Sequence, residues 1–163
     1  MKDLHKQGAE AWAALHFEGT GIKDPRRRKR LQTIARGYAS QPSGSVPQLF
    51  TRISDVKAAY TFFDREDLTP EALQAGHKTI VQSHLEQAGT YLLIEDSSEF
   101  TWDKRVPRAG LGKMNQHKQG FVLHSSLAVE WEAPKSGQSK RTALRVIGLV
   151  HQEFYPRIAR PAG

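Results

Sequence analysis

The chain has 163 residues, enough for one ordinary domain or for a small module followed by part of a larger one, and its 38% hydrophobic residues exclude a disordered chain. Cysteine is absent, which excludes disulfide bonds, thiolate zinc sites and a cysteine nucleophile. The net charge of +7 favours a polyanionic partner, and without a membrane-length apolar run or a secretory signal we expect a cytoplasmic protein.

The first 88 residues are predicted to form a helical module. Asp24-Pro25 and Thr69-Pro70 are strong helix starts, because Asp or Thr can cap free backbone N–H groups and Pro fits the first helical position. Ser54 is predicted to cap a short helix. The four expected helices cover Ala9 to Phe17, Pro25 to about Gln41, the residues after Ser54 through Phe62, and Pro70 to about Gln87.

The second predicted helix carries most of the excess charge. Seven basic residues and one acid, Asp24, lie between Lys23 and Arg36. Helical periodicity places basic side chains on the arc opposite an apolar stripe formed by Leu31, Ile34, Ala35 and Tyr38. The predicted DNA-binding residues are Arg26, Arg27, Lys29, Arg30 and Arg36.

This basic helix has two interpretations. Lys and Arg side chains on a rigid element can neutralise DNA phosphates and release counterions, which gives an affinity that falls as salt rises. A charge run can also be a solvated helix face without a partner. The first interpretation requires that acidic neighbours do not already neutralise the guanidinium groups.

From residue 89 onward the pattern predicts about three strands, so the expected fold class is α+β. The apolar run Tyr91 to Ile94 predicts a buried strand whose polar end, Glu95 to Ser98, emerges at a sheet edge. Two further strands, antiparallel to each other, are expected over Phe121 to Trp131 and Leu144 to Gln152, with Pro134 to Gly137 in their connection.

A long segment from Phe100 to Gly120 separates the first two predicted strands. It has no clear hydrophobic period, and a loop of this length in a compact domain is usually functional or mobile. Its basic residues are Lys104, Arg105, Arg108, Lys113 and Lys118.

Asp96 is the predicted catalytic and metal-binding residue. A carboxylate just past a buried strand can hold a divalent cation, whereas strand alternation turns Glu95 to the opposite face. The alternative is a polar residue that only ends the strand. Further carboxylates that could join Asp96 are Glu99, Glu130, Glu132 and Glu153. The seven histidines lack the spacing of zinc ligands and are expected to be structural or surface residues.

Several ordered motifs run along the chain from about Trp12 to Tyr155. They are Asp24-Pro25-Arg26-Arg27 with Arg30-Leu31, then Lys57 to Asp64, Thr69 to Ala72, Ile94 to Ser98, and Gly148 to Glu153. Together they resemble the N-terminal region of bacterial cut-and-paste transposases related to the transposon-five transposase. The resemblance implies a helical module over residues 1–88 that grips the inverted repeats at transposon ends. It also implies that residues 89–163 form part of an RNase H-like catalytic domain.

In the enzymes that this chain resembles, three carboxylates hold two Mg²⁺ or Mn²⁺ ions for attack on a phosphodiester, and Asp96 matches the first carboxylate. Arg26, Arg27 and Arg30 match their DNA-contacting segment. The second and third carboxylates would lie beyond Gly163. The resemblance therefore implies a truncated chain that binds double-stranded DNA, holds no metal ion tightly and does not cleave DNA alone.

Three functions remain open from the sequence. The first is a transposase fragment in the bacterial cytoplasm, associated with the nucleoid. The second is a stand-alone protein that occupies transposon ends and inhibits transposition. The third is a small metal-dependent nuclease. Mg²⁺-dependent nicking of DNA that disappears in Asp96→Ala would favour this third function. The edge left by missing strands also predicts self-association of residues 90–163.

Overall fold

The computed structural model describes residues 8–132 and 143–156, and it divides into a helical unit up to Glu86 and a sheet unit from Gln87. This arrangement confirms the α+β fold class. The helices are α1 (Ala9–Phe17), α2 (Pro25–Ser40), α3 (Ile53–Phe63) and α4 (Pro70–Leu85), with a 3-10 turn at Val46–Leu49. The strands are β1 (Thr90–Asp103), β2 (Gly112–Lys113), β3 (Lys118–Glu132) and β4 (Ala143–Pro156).

Two of the predicted helix caps are confirmed and one is wrong. The Asp24 side chain accepts hydrogen bonds from the backbone N–H groups of Arg26 and Arg27, and the Thr69 hydroxyl accepts one from Ala72. Helix α3 instead begins at Ile53, so Ser54 lies inside its first turn and does not cap it. No side chain caps the start of α3, so the capping residue on which the prediction relied does not mark this helix start.

The core of the helical unit lies beneath α2 and α3. It consists of Ile22, Leu31, Ile34, Ala59 and Phe62. Ala35 of the predicted α2 stripe is also buried, whereas Tyr38 is 36% exposed. The apolar stripe therefore holds for three of its four members, and it fixes which face of α2 turns outward.

Helices α1 and α4 meet through a close backbone approach at Gly76. A Cβ atom at Gly76 would lie 2.7 Å from the carbonyl oxygen of His16, a separation that real side chains do not adopt. This approach brings His77 of α4 against the buried His16, with their Nδ1 atoms 2.9 Å apart. Both histidines are structural, in agreement with the sequence-based expectation.

The sheet is antiparallel, with β3 at its centre. Strand β1 pairs along the whole of one side of β3, and β4 pairs along the other. The short β2 pairs with Gln119 and Gly120 of β3. The predicted antiparallel pairing of the last two strands is confirmed, although β4 runs to Pro156, and the connection Pro134 to Gly137 lies outside the described residues.

Strand β1 corrects two predictions. It does not end at Ile94, because its pairing with β3 continues from Thr90 to Asp103 and takes in the start of the predicted loop. It is not a buried strand either, since Leu92, Leu93 and Ile94 are 45%, 58% and 50% exposed. Polar residues extend the strand because the ladder is formed by backbone groups, which every residue in this stretch carries.

Candidate nucleic-acid interface

Hydrogen bonds hold the start of α2, both within its first turn and to the residues that precede the helix. Asp24 Oδ1 accepts from the backbone N–H of Arg26 at 2.8 Å and from that of Arg27 at 3.4 Å. The Arg28 guanidinium donates to the carbonyl oxygens of Ile22 and Lys23, which fixes the turn before the helix. The Arg26 N–H is the main cause that lowers the pKa of Asp24 below its usual value. A charged cap therefore sets where the basic face of α2 begins.

Three of the five predicted DNA-binding residues form ion pairs with acids from other segments. The pairs, with their N–O distances, are Arg27 with Asp67 (2.5 Å), Arg30 with Asp55 (3.0 Å) and Arg36 with Glu10 (2.6 Å). The requirement that acidic neighbours leave the guanidinium groups free is therefore met only in part. Glu10 belongs to α1 and Asp55 to α3, so acids flank the basic face on both sides.

Arg26 and Lys29 form the unpaired centre of this face. Both residues are exposed, and among residues 8–132 and 143–156 no acidic side chain lies within ion-pair distance of either. We call Arg26 and Lys29 the central cations of α2. They are the groups that can meet a phosphate without first leaving another partner.

The ion pairs on either side differ in exposure. The Arg36 side chain is 47% exposed and its Glu10 partner 77%, so solvent screens this pair and a phosphate can replace the carboxylate at little cost. Arg27 and Arg30 are 29% and 32% exposed, and each links α2 to another part of the helical unit. Their ion pairs orient α2 in addition to any contact with a ligand.

Asp67 is an acidic neighbour of the predicted DNA-binding residues that the sequence pattern does not indicate. The Arg65 side chain first, and Arg27 second, lower the pKa of Asp67 to about 2. Its carboxylate is therefore charged at neutral pH and keeps Arg27 against the segment that precedes α4. No sequence signal marks this contact, because Arg27 and Asp67 are 40 residues apart.

A shallow groove lies beside the basic face, between α1 and α2. It has a volume of about 210 Å³, and its α2 wall carries two of the predicted cations together with polar side chains. The lining residues are Glu10, Ala13, Ala14, Lys29, Gln32, Thr33 and Arg36. Gln32 and Thr33 were not among the predicted contacts, although their helical spacing from Lys29 and Arg36 places them on the same face.

Asp96 lies at an exposed position in the middle of β1, not past its end, which corrects the predicted location. The Ser98 hydroxyl donates to Asp96 Oδ2 at 3.4 Å. Asp96 is paired across the ladder with Ser125, and Ser125 in turn with Gln152. Its carboxylate is thus open to solvent and has polar neighbours, on a face that is otherwise mainly apolar.

The other candidate carboxylates lie on the opposite face of the sheet. Paired residues of antiparallel strands share a face, and successive residues alternate between faces. Glu99 is three residues along β1 from Asp96, an odd number, so its side chain points to the other face. Glu130 pairs with Tyr91, which is five residues from Asp96, and therefore also lies on the other face. Glu153 pairs with His124, and His124 pairs with Ser97, the residue next to Asp96, so Glu153 lies on the other face as well. Glu130 is in an ion pair with Arg145, and Glu153 accepts a hydrogen bond from Tyr155. The side chain of Glu132 lies outside the described residues.

Asp96 and its neighbours therefore do not fit a two-metal site. In the described part of the chain, no group of three or more His, Asp or Glu side chains is placed to hold a metal ion. A single carboxylate cannot fix the geometry of two cations, so no metal-dependent step follows from these residues. This arrangement argues against the nuclease hypothesis, which needed one of the three glutamates beside Asp96.

The comparison with protein families concerns the helical unit. Residues 9–68 match a family model described as transposase DNA-binding. The matched segment runs from α1 to just past α3 and contains every predicted DNA-binding residue of α2. The match supports a transposase-related protein with a DNA-binding function. Separately, none of the helices in the described residues is long and apolar enough to cross a membrane.

Proposed function

We propose that this chain is the N-terminal portion of a DNA transposase and that α2 binds the phosphate backbone at transposon ends. The observation that carries the proposal is the position of the central cations, Arg26 and Lys29. They are exposed on a capped, well-packed helix inside the segment that matches the transposase DNA-binding family. A rigid cationic helix suits a duplex backbone, because its charges keep a fixed spacing when phosphates are neutralised.

The inverted repeats are the proposed DNA ligand. Phosphate contacts orient a protein on a duplex but carry no sequence information, so α2 cations supply affinity and register. Gln32 and Thr33, beside Lys29, are polar side chains of the kind that can contact phosphates or base edges. Binding of this kind would place the chain with the bacterial nucleoid.

The test is a salt titration of duplex binding with the central cations removed. For Arg26→Ala with Lys29→Ala, we expect weaker binding and a slope of log K against log[salt] that is less steep by about 2, since each lost phosphate contact contributes about 0.9. Fluorescence anisotropy between 50 and 200 mM salt, on a duplex of the inverted repeats that flank the gene, measures both quantities.

The matched control keeps the charges. Arg26→Lys with Lys29→Arg should retain most of the slope, because it preserves two cations at the same helical positions. An unchanged slope in the double alanine variant, with its helix content intact by circular dichroism, would contradict the proposed role of α2.

We further propose that the sheet unit is the first part of an RNase H-like domain and that Asp96 is its first catalytic carboxylate, with Mg²⁺ or Mn²⁺ as the metal of the complete enzyme. The exposed carboxylate on a long, paired strand supports this role. Asp96 has no second carboxylate on its face among the described strand residues. We therefore propose that the chain alone binds DNA without cleaving it, and inhibition of transposition would follow from the same binding surface.

Self-association is proposed for the sheet unit. The face that carries Asp96 also carries exposed apolar side chains, including Ile94 (50%), Phe100 (41%) and Leu144 (62%). Exposed apolar area of this kind favours contact between copies, and so do the outer edges of β1 and β4, which pair with no other strand among the described residues. We expect sedimentation velocity of the full chain to show larger species as concentration rises, and fewer of them in Leu144→Lys. A monodisperse monomer at high concentration would refute the prediction.

A further inference from the structure

The segment from Lys104 to Lys118, which we call the basic loop, concentrates the positive charge of the described sheet unit. It connects β1 to β3 and includes β2. The loop contains five cationic residues and no acid; they are Lys104, Arg105, Arg108, Lys113 and Lys118. They lie on both arms of the loop, since Lys104 directly follows β1, Lys113 is in β2, and Lys118 begins β3.

Two side-chain amides hold the shape of the basic loop, the buried amide of Gln119 and the amide of Asn115 in the turn before β3. Gln119 is 7% exposed, and its side chain donates to the carbonyl oxygens of Asp103 and Val106 and accepts from the backbone N–H of Arg108. The Asn115 side chain accepts from two backbone N–H groups at the tight turn before β3. These contacts hold the backbone of both arms, so the points from which the cationic side chains project are set.

Most of the charge on the loop is not neutralised. The Arg105 guanidinium donates to both carboxylate oxygens of Asp103 and holds the pKa of that group below its usual value. In the part of the chain that the structure describes, no acidic side chain is within ion-pair distance of Lys104, Arg108 or Lys113. All three are exposed, and the Arg108 guanidinium lies over the Trp102 ring, 5.9 Å from its centroid.

An open cleft of about 570 Å³ lies at the base of the loop. Its lining residues are Asp103, Lys104, Arg105, Gln116 and His117. Asp103 is the acid in this set, and its charge is balanced by Arg105. Lys104, Gln116 and His117 remain as exposed polar groups that can donate hydrogen bonds to phosphate oxygens.

We propose that the basic loop is a second contact for the backbone of duplex DNA, made by the sheet unit and separate from α2. The choice of DNA as the partner rests on the proposed function. A single small anion would need most of the charge to converge on one point, whereas only Lys104 and Arg105 among the five loop cations line the cleft. The other three lie elsewhere on the two arms of the loop. Several separate cations on a held backbone fit a polymer that presents a row of phosphates.

The experiment uses the full chain with Lys104→Ala and Lys113→Ala, because both side chains are exposed and neither residue takes part in the side-chain hydrogen bonds of Gln119. We expect weaker duplex binding and a slope of log K against log[salt] that is less steep by about 2, at about 0.9 for each lost phosphate contact. The loss should be equal for a transposon-end duplex and a scrambled duplex, because phosphate contacts do not read sequence. The charge-preserving variant with Lys104→Arg and Lys113→Arg should keep the slope.

Comparison with the α2 variant separates the two proposals. If the loop variant keeps the parental slope while Arg26→Ala with Lys29→Ala flattens it, the basic loop is not a DNA contact and the proposed function stands. If only the loop variant flattens the slope, the role of α2 fails and the loop inference holds. A loss seen with an RNA duplex but not with DNA would also overturn the inference.

Discussion

Phe62→Ala should lower the free energy of unfolding of the helical unit by about 3–5 kcal/mol, the range for removing a buried aromatic side chain. Phe62 is 3% exposed and packs in the same core as Leu31 and Ile34 of α2. Because small domains have only about 5–15 kcal/mol of stability in total, this loss removes much of the support beneath the basic helix. Duplex binding should therefore fall together with the helical circular dichroism signal.

The neighbouring phenylalanine provides a matched control. Phe63 is 42% exposed and contacts the Phe62 ring edge-on, with the ring centroids 5.7 Å apart. Phe63→Ala deletes the same atoms from a surface position and should cost less than about 1 kcal/mol. Urea denaturation followed by circular dichroism compares the two variants. Equal losses of stability would show that the helical core does not lie where the structure places it.

The local features of α2 could be predicted because their causes are close together in sequence. Asp24 caps backbone N–H groups no more than three residues away, and Pro25 occupies the first helical position, so together they set the start of α2. The helical repeat of 3.6 residues identified Leu31 and Ile34 as buried positions. The same information could not show which cations are paired. The acids that pair with Arg30 and Arg36 are 25 and 26 residues away, so tertiary packing alone brings them together.

The sheet was less predictable for a different physical reason. An apolar run indicates where side chains favour burial, and in β1 that run stops at Ile94. The strand continues to Asp103 because β3 is long enough to pair its backbone with every one of these residues. Pairing of this kind depends on the register of a distant strand. The sequence therefore located Asp96 near a strand but placed it at the end, not in the middle.

The stability of the helical unit should also depend on pH through the contact between α1 and α4. His16 is 2% exposed, and its Nδ1 faces Nδ1 of His77 at 2.9 Å, so one nitrogen donates while the other accepts. Protonating both rings would turn two N–H groups toward each other. Burial first, and the charge of His77 second, lower the pKa of His16 to about 4, and burial lowers that of His77 as well.

Acid should therefore destabilise the helical unit between about pH 6.5 and pH 4. In this window an unfolded His16, with its ordinary pKa of 6.5, binds more protons than the folded one, so the free energy of unfolding falls as pH decreases. At about 1.36 kcal/mol for each pKa unit, the loss of unfolding free energy due to His16 alone reaches about 3 kcal/mol by pH 4.

Urea midpoints measured from pH 7.5 to pH 4 should show this decrease. His16→Gln should reduce the pH dependence, whereas His117→Gln, at an exposed position in the basic loop, should leave it unchanged. A parental chain with the same stability at pH 7.5 and pH 4.5 would refute the pairing, because equal stability means that the folded and unfolded chains bind the same number of protons over this range.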